Sequence, residues 1–345
     1  MKSRFYYSVC QFGAEKAVKD EVIASYPGLK FAFSRPGFIT FKEDSDTGPE
    51  LGWPASIFTR LWGVSIGQGK TVSAREDLLD AIPDGAVIHA FERDTFLPGD
   101  EPEGFKPGIR VQQMLKTVKK HVILEGRQPE PGEWVYDLVW LDDEHLFLGK
   151  HRHEDGLDPA PGNQPVIALP ANSPSRAYLK IAEAVHRFSP EIRKGMPVLE
   201  VGCSPGGATT FMLSQGMTVT GVDPKGMDPQ LSRKAGFQFI QREAKALIKD
   251  DVKNLNPEWL VLDMNLAPLE ALDEVAHVIR LLRECQGKKL QLRTGFLTIK
   301  LNDWKFASST PLYLKRIREL GFERLTAIQL CSNRQEFFVY AEGFR

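Results

Sequence analysis

The sequence predicts an α/β protein whose carboxy-terminal half is a Rossmann-like domain, with a mostly parallel sheet ending in an antiparallel hairpin, preceded by an α+β module. Three observations carry this. The apolar run Val198-Leu-Glu-Val201 passes through the glycine-rich turn Gly202-Cys-Ser-Pro-Gly-Gly207 straight into an amphipathic stretch, the strand, loop and helix opening of such a unit. Further apolar runs alternate with helical periodicity, the pattern of a parallel sheet. The last two runs are separated only by residues 331–335, too few for a crossover helix, so they must pair antiparallel.

Composition bounds the possibilities. A chain of 345 residues, 42% hydrophobic and 26% charged, is long enough for more than one domain and for a substantial core. A net charge of -1 gives no global footprint for nucleic acid, so an RNA partner has to be held by local basic patches. Cys10, Cys203, Cys285 and Cys331 show no paired spacing, which argues against a disulfide framework or a zinc module and fits a reducing cytoplasm. Without an apolar leader or a run of membrane-spanning length, the expectation is a soluble, non-secreted protein. No exposed heptad or apolar repeat suggests a partner subunit, so a monomer is expected.

In the amino-terminal half, period-two runs predict strands at 5–9 and 37–41, and a helical pattern covers 13–24. Residues 57–62 continue an apolar surface that packs on these, closing a first subdomain over 1–66. A second module over 67–160, read as RNA-binding, has a strand at 85–91, a helix at 111–121 and a hairpin of 134–140 with 145–149 around Asp142-Asp-Glu144. Lys116, Lys119 and Lys120 fall at i, i+3 and i+4, so they share one helix face, either solvated or set to neutralise phosphates. His151 and His153 are two apart on a strand, so their rings point the same way. Two histidines without further ligands do not make a metal site, and none is expected. The Pro/Gly-rich segment 153–171 marks a domain boundary, with the third domain over 161–345.

The third domain opens with a helix-start signal, Ser173 as N-cap and Pro174 in the first turn. Arg176 and Lys180 lie one turn apart on its more polar face, a solvated pair on their own. In the glycine turn, Gly202, Gly206 and Gly207 let the backbone approach a ligand, and Pro205 stiffens the helix entrance. Asp223 ends the next strand, 218–223, where a carboxylate can accept hydrogen bonds from both ribose hydroxyls of a bound adenosine. Strands follow at 237–241, 259–264, 295–301, 325–330 and 336–341, with helices at 268–285 and 311–320. Sites in open α/β sheets lie beyond the carboxyl ends of the parallel strands, where Asp263 and Lys300 project. The last strand runs the other way, so Glu336 at its start reaches the same edge.

Taken together, Ser175-Arg-Ala-Tyr-Leu-Lys180, Gly202-x-x-Pro-Gly-Gly207, Leu262-Asp-Met264, the Lys300 strand and Arg334-Gln-Glu336 resemble, in order and spacing, the FtsJ-type ribose 2′-O-methyltransferases with their Lys-Asp-Lys-Glu set. The likeness extends through Gly13-Ala-Glu-Lys16, Pro36-Gly-Phe-Ile39, Ile57-Phe-Thr-Arg-Leu-Trp62 and Val222-Asp-Pro-Lys-Gly-Met227 to the larger members of that family, which modify a cytidine of 23S ribosomal RNA and carry a THUMP-type RNA-binding module. The resemblance implies S-adenosyl-L-methionine as cofactor, RNA as substrate and partner, and Lys180, Asp263, Lys300 and Glu336 as the catalytic set. It implies a cofactor site of Ser175, Gly202, Ser204, Pro205, Gly206, Gly207, Asp223 and Asp263. Two departures stand out. The family's Arg-Glu-Asp at the adenine end is Arg242-Glu-Ala244 here, so that acidic contact is missing or moves to Glu243, and Leu301-Asn-Asp-Trp-Lys305 is less basic than its counterpart.

The chemistry asks for the same groups. Methyl transfer to a ribose hydroxyl needs a base for its proton, and an unperturbed lysine, pKa about 10.4, is protonated at neutral pH. Desolvation beside a second cation, Lys180, would lower the Lys300 value, and a fall to about 7 corresponds to roughly 4–5 kcal/mol. Lys300 is therefore the expected base, with Asp263 orienting it and Glu336 positioning Lys180 or the ribose. Base N-methylation lacks its Asn/Asp-Pro-Pro-aromatic motif, and C5 methylation lacks a partnered cysteine nucleophile. A 2′-O-methyltransferase of another RNA, and a non-catalytic RNA-binding or ribosome-assembly factor on the same fold, remain as alternatives.

Overall fold

In a computed structural model, residues 3–44, 48–96, 128–142 and 144–345 are described, and the chain separates into two units, Met1–Val166 and Ile167–Arg345. The division falls inside the Pro/Gly-rich segment. The expected division at 66/67 instead cuts strand β4 (Thr59–Gly69), which pairs with β1 (Arg4–Cys10) on one side and β7 (His145–Arg152) on the other. The first 166 residues are thus one unit, where the sequence suggested two.

That unit is built on a seven-stranded sheet. With β2 (Lys30–Arg35), β3 (Phe38–Glu43), β5 (Val87–Glu92) and β6 (Trp134–Asp142), its order is β2-β3-β1-β4-β7-β6-β5. Neighbours are antiparallel except β5 and β6. The 57–62 segment proves to lead into a long strand, and β2 and a helix at Val72–Asp80 have no counterpart in the sequence reading. β2 is an edge strand with mostly exposed residues, Phe31 among them. Thr71 caps the 72–80 helix, its Oγ1 accepting the Ala74 amide at 3.1 Å. The expected lysine helix with Lys116, Lys119, Lys120 and His121 lies outside the described residues.

One side chain crosses this sheet. Tyr7 on β1 sits opposite Gly63 of β4, and its hydroxyl donates a short hydrogen bond to Asp137 Oδ2 on β6, three strands away. A Cβ on Gly63 or on Gly149 of β7 would fall 2.7 or 2.4 Å from the Tyr7 ring. Both positions need glycine because an aromatic ring occupies the space above them.

The second unit has strands β8 (Pro197–Val201), β9 (Thr218–Val222), β10 (Phe237–Ile240), β11 (Trp259–Leu262), β12 (Thr294–Lys300), β13 (Phe322–Ile328) and β14 (Glu336–Phe344), in the order β10-β9-β8-β11-β12-β14-β13. The first five run parallel, and β14 lies antiparallel between β12 and β13. Trp259 and Phe296 are fully buried at the centre of its core, each burial worth about 2–3 kcal/mol. The helix expected from Ser173 begins at Ala177 and runs to Phe188. Ser173 does not cap it: its hydroxyl donates to the Ser175 carbonyl at 2.9 Å, which holds the preceding residues in a turn. Among the described residues no helix is long and apolar enough to cross a membrane.

Candidate active site

The glycine turn leaves β8 at its carboxyl end and enters the helix Gly207–Ser214. Its glycines admit the protein's own chain. A Cβ on Gly202 (φ +85) would stand 2.6 Å from the Asp263 carbonyl oxygen, and one on Gly207 would stand 2.3 Å from Ser175 Oγ. The loop is therefore pressed between the end of β11 and the turn before the 177–188 helix. Gly206, at φ +117, adopts a backbone that side chains disfavour. The peptide between Ser204 and Pro205 is cis.

Asp223, nearly buried after β9, accepts the Ser204 amide at Oδ2 (3.1 Å) and the Lys225 amide at Oδ1 (2.8 Å). It shapes the loop, and each oxygen keeps a further lone pair. Two observations test this region against S-adenosyl-L-methionine. Ser175 Oγ is buried without a hydrogen-bond partner, and the 207–214 helix starts with no side-chain cap, its first amides available to a carboxylate. The residues fit an amino-acid-bearing nucleoside. Glu243 pairs with Lys245 at 3.2 Å in an exposed position, and Ala244 is buried.

Beside the loop, four charged groups from four elements close a ring. Lys180 Nζ, from the 177–188 helix, lies 3.1 and 3.0 Å from the two oxygens of Asp263 and 2.8 Å from Glu336 Oε1. Lys300 Nζ lies 3.4 Å from Asp263 Oδ1 and 2.5 Å from Glu336 Oε2, the latter an ion pair out of hydrogen-bond alignment. Lys300 and Glu336 are register partners across β12 and β14, so the antiparallel last strand is what brings the glutamate there.

Positive and negative charges alternate around the ring, and Asp263 and Glu336 stand between the two ammonium groups. Lys180 therefore acts on Lys300 only with its charge already compensated, unlike the direct like-charge pair the sequence suggested. Burial alone would lower the Lys180 pKa, but Asp263 and Glu336 outweigh it and hold the group well above the usual lysine range. Burial likewise opposes the ionised Asp263, and Lys180 and Lys300 overcome it, keeping that carboxyl below its ordinary value. Lys180 is thus no solvated surface residue. Its side chain is 13% exposed against 23% for Lys300; it lies closer to Asp263, while Lys300 lies closer to Glu336.

Two residues absent from the sequence reading hold the ring in place. Asn333, fully buried, donates from Nδ2 to Glu336 Oε1 at 2.9 Å and accepts the Leu330 amide at Oδ1. Glu183, one turn beyond Lys180, accepts the amides of Cys331 (2.9 Å) and Ser332 (3.0 Å) and the Ser332 hydroxyl (2.8 Å), and pairs with Arg187. The helix that carries Lys180 thereby fixes the loop that carries Glu336. An acidic residue three positions after Lys180 was the only available signal, and it reads as an ordinary helix-face charge.

Residues 174–340 match the FtsJ-like methyltransferase family. Curated relatives include ribosomal RNA large subunit methyltransferase M of Halorhodospira halophila, 28% identical with 96% of this chain and 95% of the relative covered. The protein of that name from Xylella fastidiosa is 28% identical over 97% of both chains. That from Tolumonas auensis is 29% identical over 79% of this chain and 78% of its own.

Proposed function

With residues 174–340 forming an FtsJ-like methyltransferase domain whose cofactor is S-adenosyl-L-methionine, we propose that the protein is a 2′-O-ribose methyltransferase of RNA and that its target is a cytidine of 23S ribosomal RNA. The near full-length likeness to large-subunit ribosomal RNA methyltransferases supports the substrate. The observation that carries the chemistry is the ring of Lys180, Asp263, Lys300 and Glu336 beside the glycine loop. The first unit serves as the RNA-binding module, of THUMP type. The reading places the enzyme in the cytoplasm as a monomer.

Ser175, the Gly202 to Gly207 turn and Asp223 hold the cofactor, with Asp263 at its reactive end. The chemistry supplied by S-adenosyl-L-methionine, when bound, is an electrophilic methyl group on a sulfonium. The chain supplies the proton acceptor. Of the two lysines, Lys180 is held as the ammonium by both carboxylates, and Lys300, the more exposed of the two, is the acceptor of the ribose 2′-hydroxyl proton. Asp263 and Glu336 orient that amine and keep the ring electrically balanced as the proton arrives. Lys180 keeps the two carboxylates ionised and apart.

The test measures transfer from tritiated S-adenosyl-L-methionine to ribosomal RNA from a strain lacking the protein. Wild type should label one cytidine. Lys300→Ala should lose at least about 10²-fold in rate while binding the cofactor as wild type does in calorimetry. Normal turnover in that variant would remove Lys300 as base, and no labelling of any RNA by wild type would leave an RNA-binding assembly role.

A further inference from the structure

His151 and His153 have no further ligand near them in the sequence, but the fold supplies two. Strands β5 and β6 run parallel with His89 and Asp137 opposite each other, and β7 brings His151 to the same carboxylate, Nδ1 to Oδ2 at 2.5 Å. His89, Asp137 and His151 are 5%, 0% and 2% exposed, and their ligand atoms all lie within 4.8 Å of one another.

The hydrogen bonding of this cluster is incomplete. Asp137 Oδ2 accepts from the Tyr7 hydroxyl and from His151 Nδ1, yet Oδ1 has no partner. The His89 ring is bonded to the Pro159 carbonyl, which leaves Nδ1 as its unpartnered nitrogen. These two orphan atoms face each other at 4.0 Å. That is too long for a hydrogen bond and wide enough for an ion at the ~2.0–2.2 Å reach of zinc ligands. His153, whose Nδ1 is also buried and unpartnered, is the next ring along, 6.4 Å from His151 between centroids.

We infer that His89, Asp137 and His151 form a binding site for a divalent transition-metal ion of the zinc class. Two imidazoles and a carboxylate suit such an ion better than calcium or magnesium, which take oxygen alone, or the thiol-seeking metals. The bond from the His89 ring to a backbone carbonyl fixes the tautomer, as the outer partners of metal-bound histidines do. On binding, His151 moves its ring proton from Nδ1 to Nε2 and turns the freed lone pair to the ion, so no proton is lost from the site. Joining β5, β6 and β7 at one point makes the role structural, and it stands apart from methyl transfer.

The test uses the full-length protein stripped with a chelator and titrated with zinc sulfate in calorimetry, and with cobalt(II) in visible absorption. Wild type should bind one zinc ion, unfold at a higher temperature with it, and give the d–d bands of a four-coordinate nitrogen and oxygen site with cobalt. His89→Gln and Asp137→Asn should bind at least about tenfold more weakly. His145→Gln, on β7 but outside the cluster, should bind as wild type does. Absence of stoichiometric binding by wild type, or equal affinity in His89→Gln, would overturn the site and leave a hydrogen-bonded hub. Should either ligand variant fail to fold, the wild-type cobalt spectrum decides: its bands support the site and their absence overturns it.

Discussion

Each unit of this protein buries a cluster of ionisable groups, and the two clusters are completed differently. In the second unit, Lys180, Asp263, Lys300 and Glu336 alternate in sign, so every charge meets an opposite one within the chain. In the first unit, Asp137 gathers Tyr7 and His151 on one oxygen while its other oxygen and His89 Nδ1 face each other unsatisfied. A buried polar atom left without a partner costs about 1–3 kcal/mol. The balanced ring needs no further component to be stable. The unbalanced cluster asks for something from outside.

Breaking the balance of the ring should have the largest effect. Lys180→Met leaves Asp263 and Glu336 buried with one cation between them, and removing one partner of a buried ion pair costs about 3–5 kcal/mol. Urea unfolding should show a loss of that size together with loss of methyl transfer; an unchanged midpoint would mean that the four charges are not coupled.

Another buried acid sharpens the contrast, since it has no cation beside it among the described residues. Among the described residues Glu200 on β8 is bonded only to the Thr209 hydroxyl at 2.5 Å, and burial pushes its carboxyl up to about 8. Its folded-state value lies above its unfolded one, so the folded protein binds the extra proton and stability falls as pH rises from about 4.5 to about 8. That linkage is on the order of 4–5 kcal/mol. Glu200→Gln should remove this component, gaining most on wild type at pH 8.5 and little at pH 4.5 in parallel urea titrations. Equal pH slopes in the two proteins would show that Glu200 is ionised in the fold.

The smallest change probes the ring's support. Asn333→Ala removes the neutral donor to Glu336 Oε1, at about 1–3 kcal/mol. Turnover should fall while cofactor affinity in calorimetry stays at the wild-type value, and a parallel loss of both would assign Asn333 to the general stability of the unit.

What could be read in advance follows from how local each signal is. The glycine turn, the Asp223 strand end and the five-residue link before Glu336 are each contained in a short window, and the order of elements in the second unit follows from them. Asp263, Lys300 and Glu336 fall at element ends that topology carries to one edge, so their meeting was legible too. Lys180 alone read as a surface charge, because helical spacing says nothing about which face a sheet covers. Glu183 acts through a loop far from it in sequence, Asn333 reads as an ordinary residue of a short link, and His89 meets Asp137 only through the register of two parallel strands. Pairing of that kind leaves no periodic trace. The division at 66/67 failed for a related reason: β4 has partners on both sides, and neither is its neighbour in the chain.

The ring of Tyr7, lying over Gly63 and Gly149, has a further consequence for how the first sheet assembles. Sliding β4 or β7 by one residue would carry a side chain toward the space the ring fills and displace the hydroxyl from Asp137. The tyrosine and its two glycines therefore work as a key and its wards, admitting one alignment of β1, β4, β7 and β6 and rejecting the slipped ones. Any ion held by His89, Asp137 and His151 is bound by strands whose alignment that key has already set.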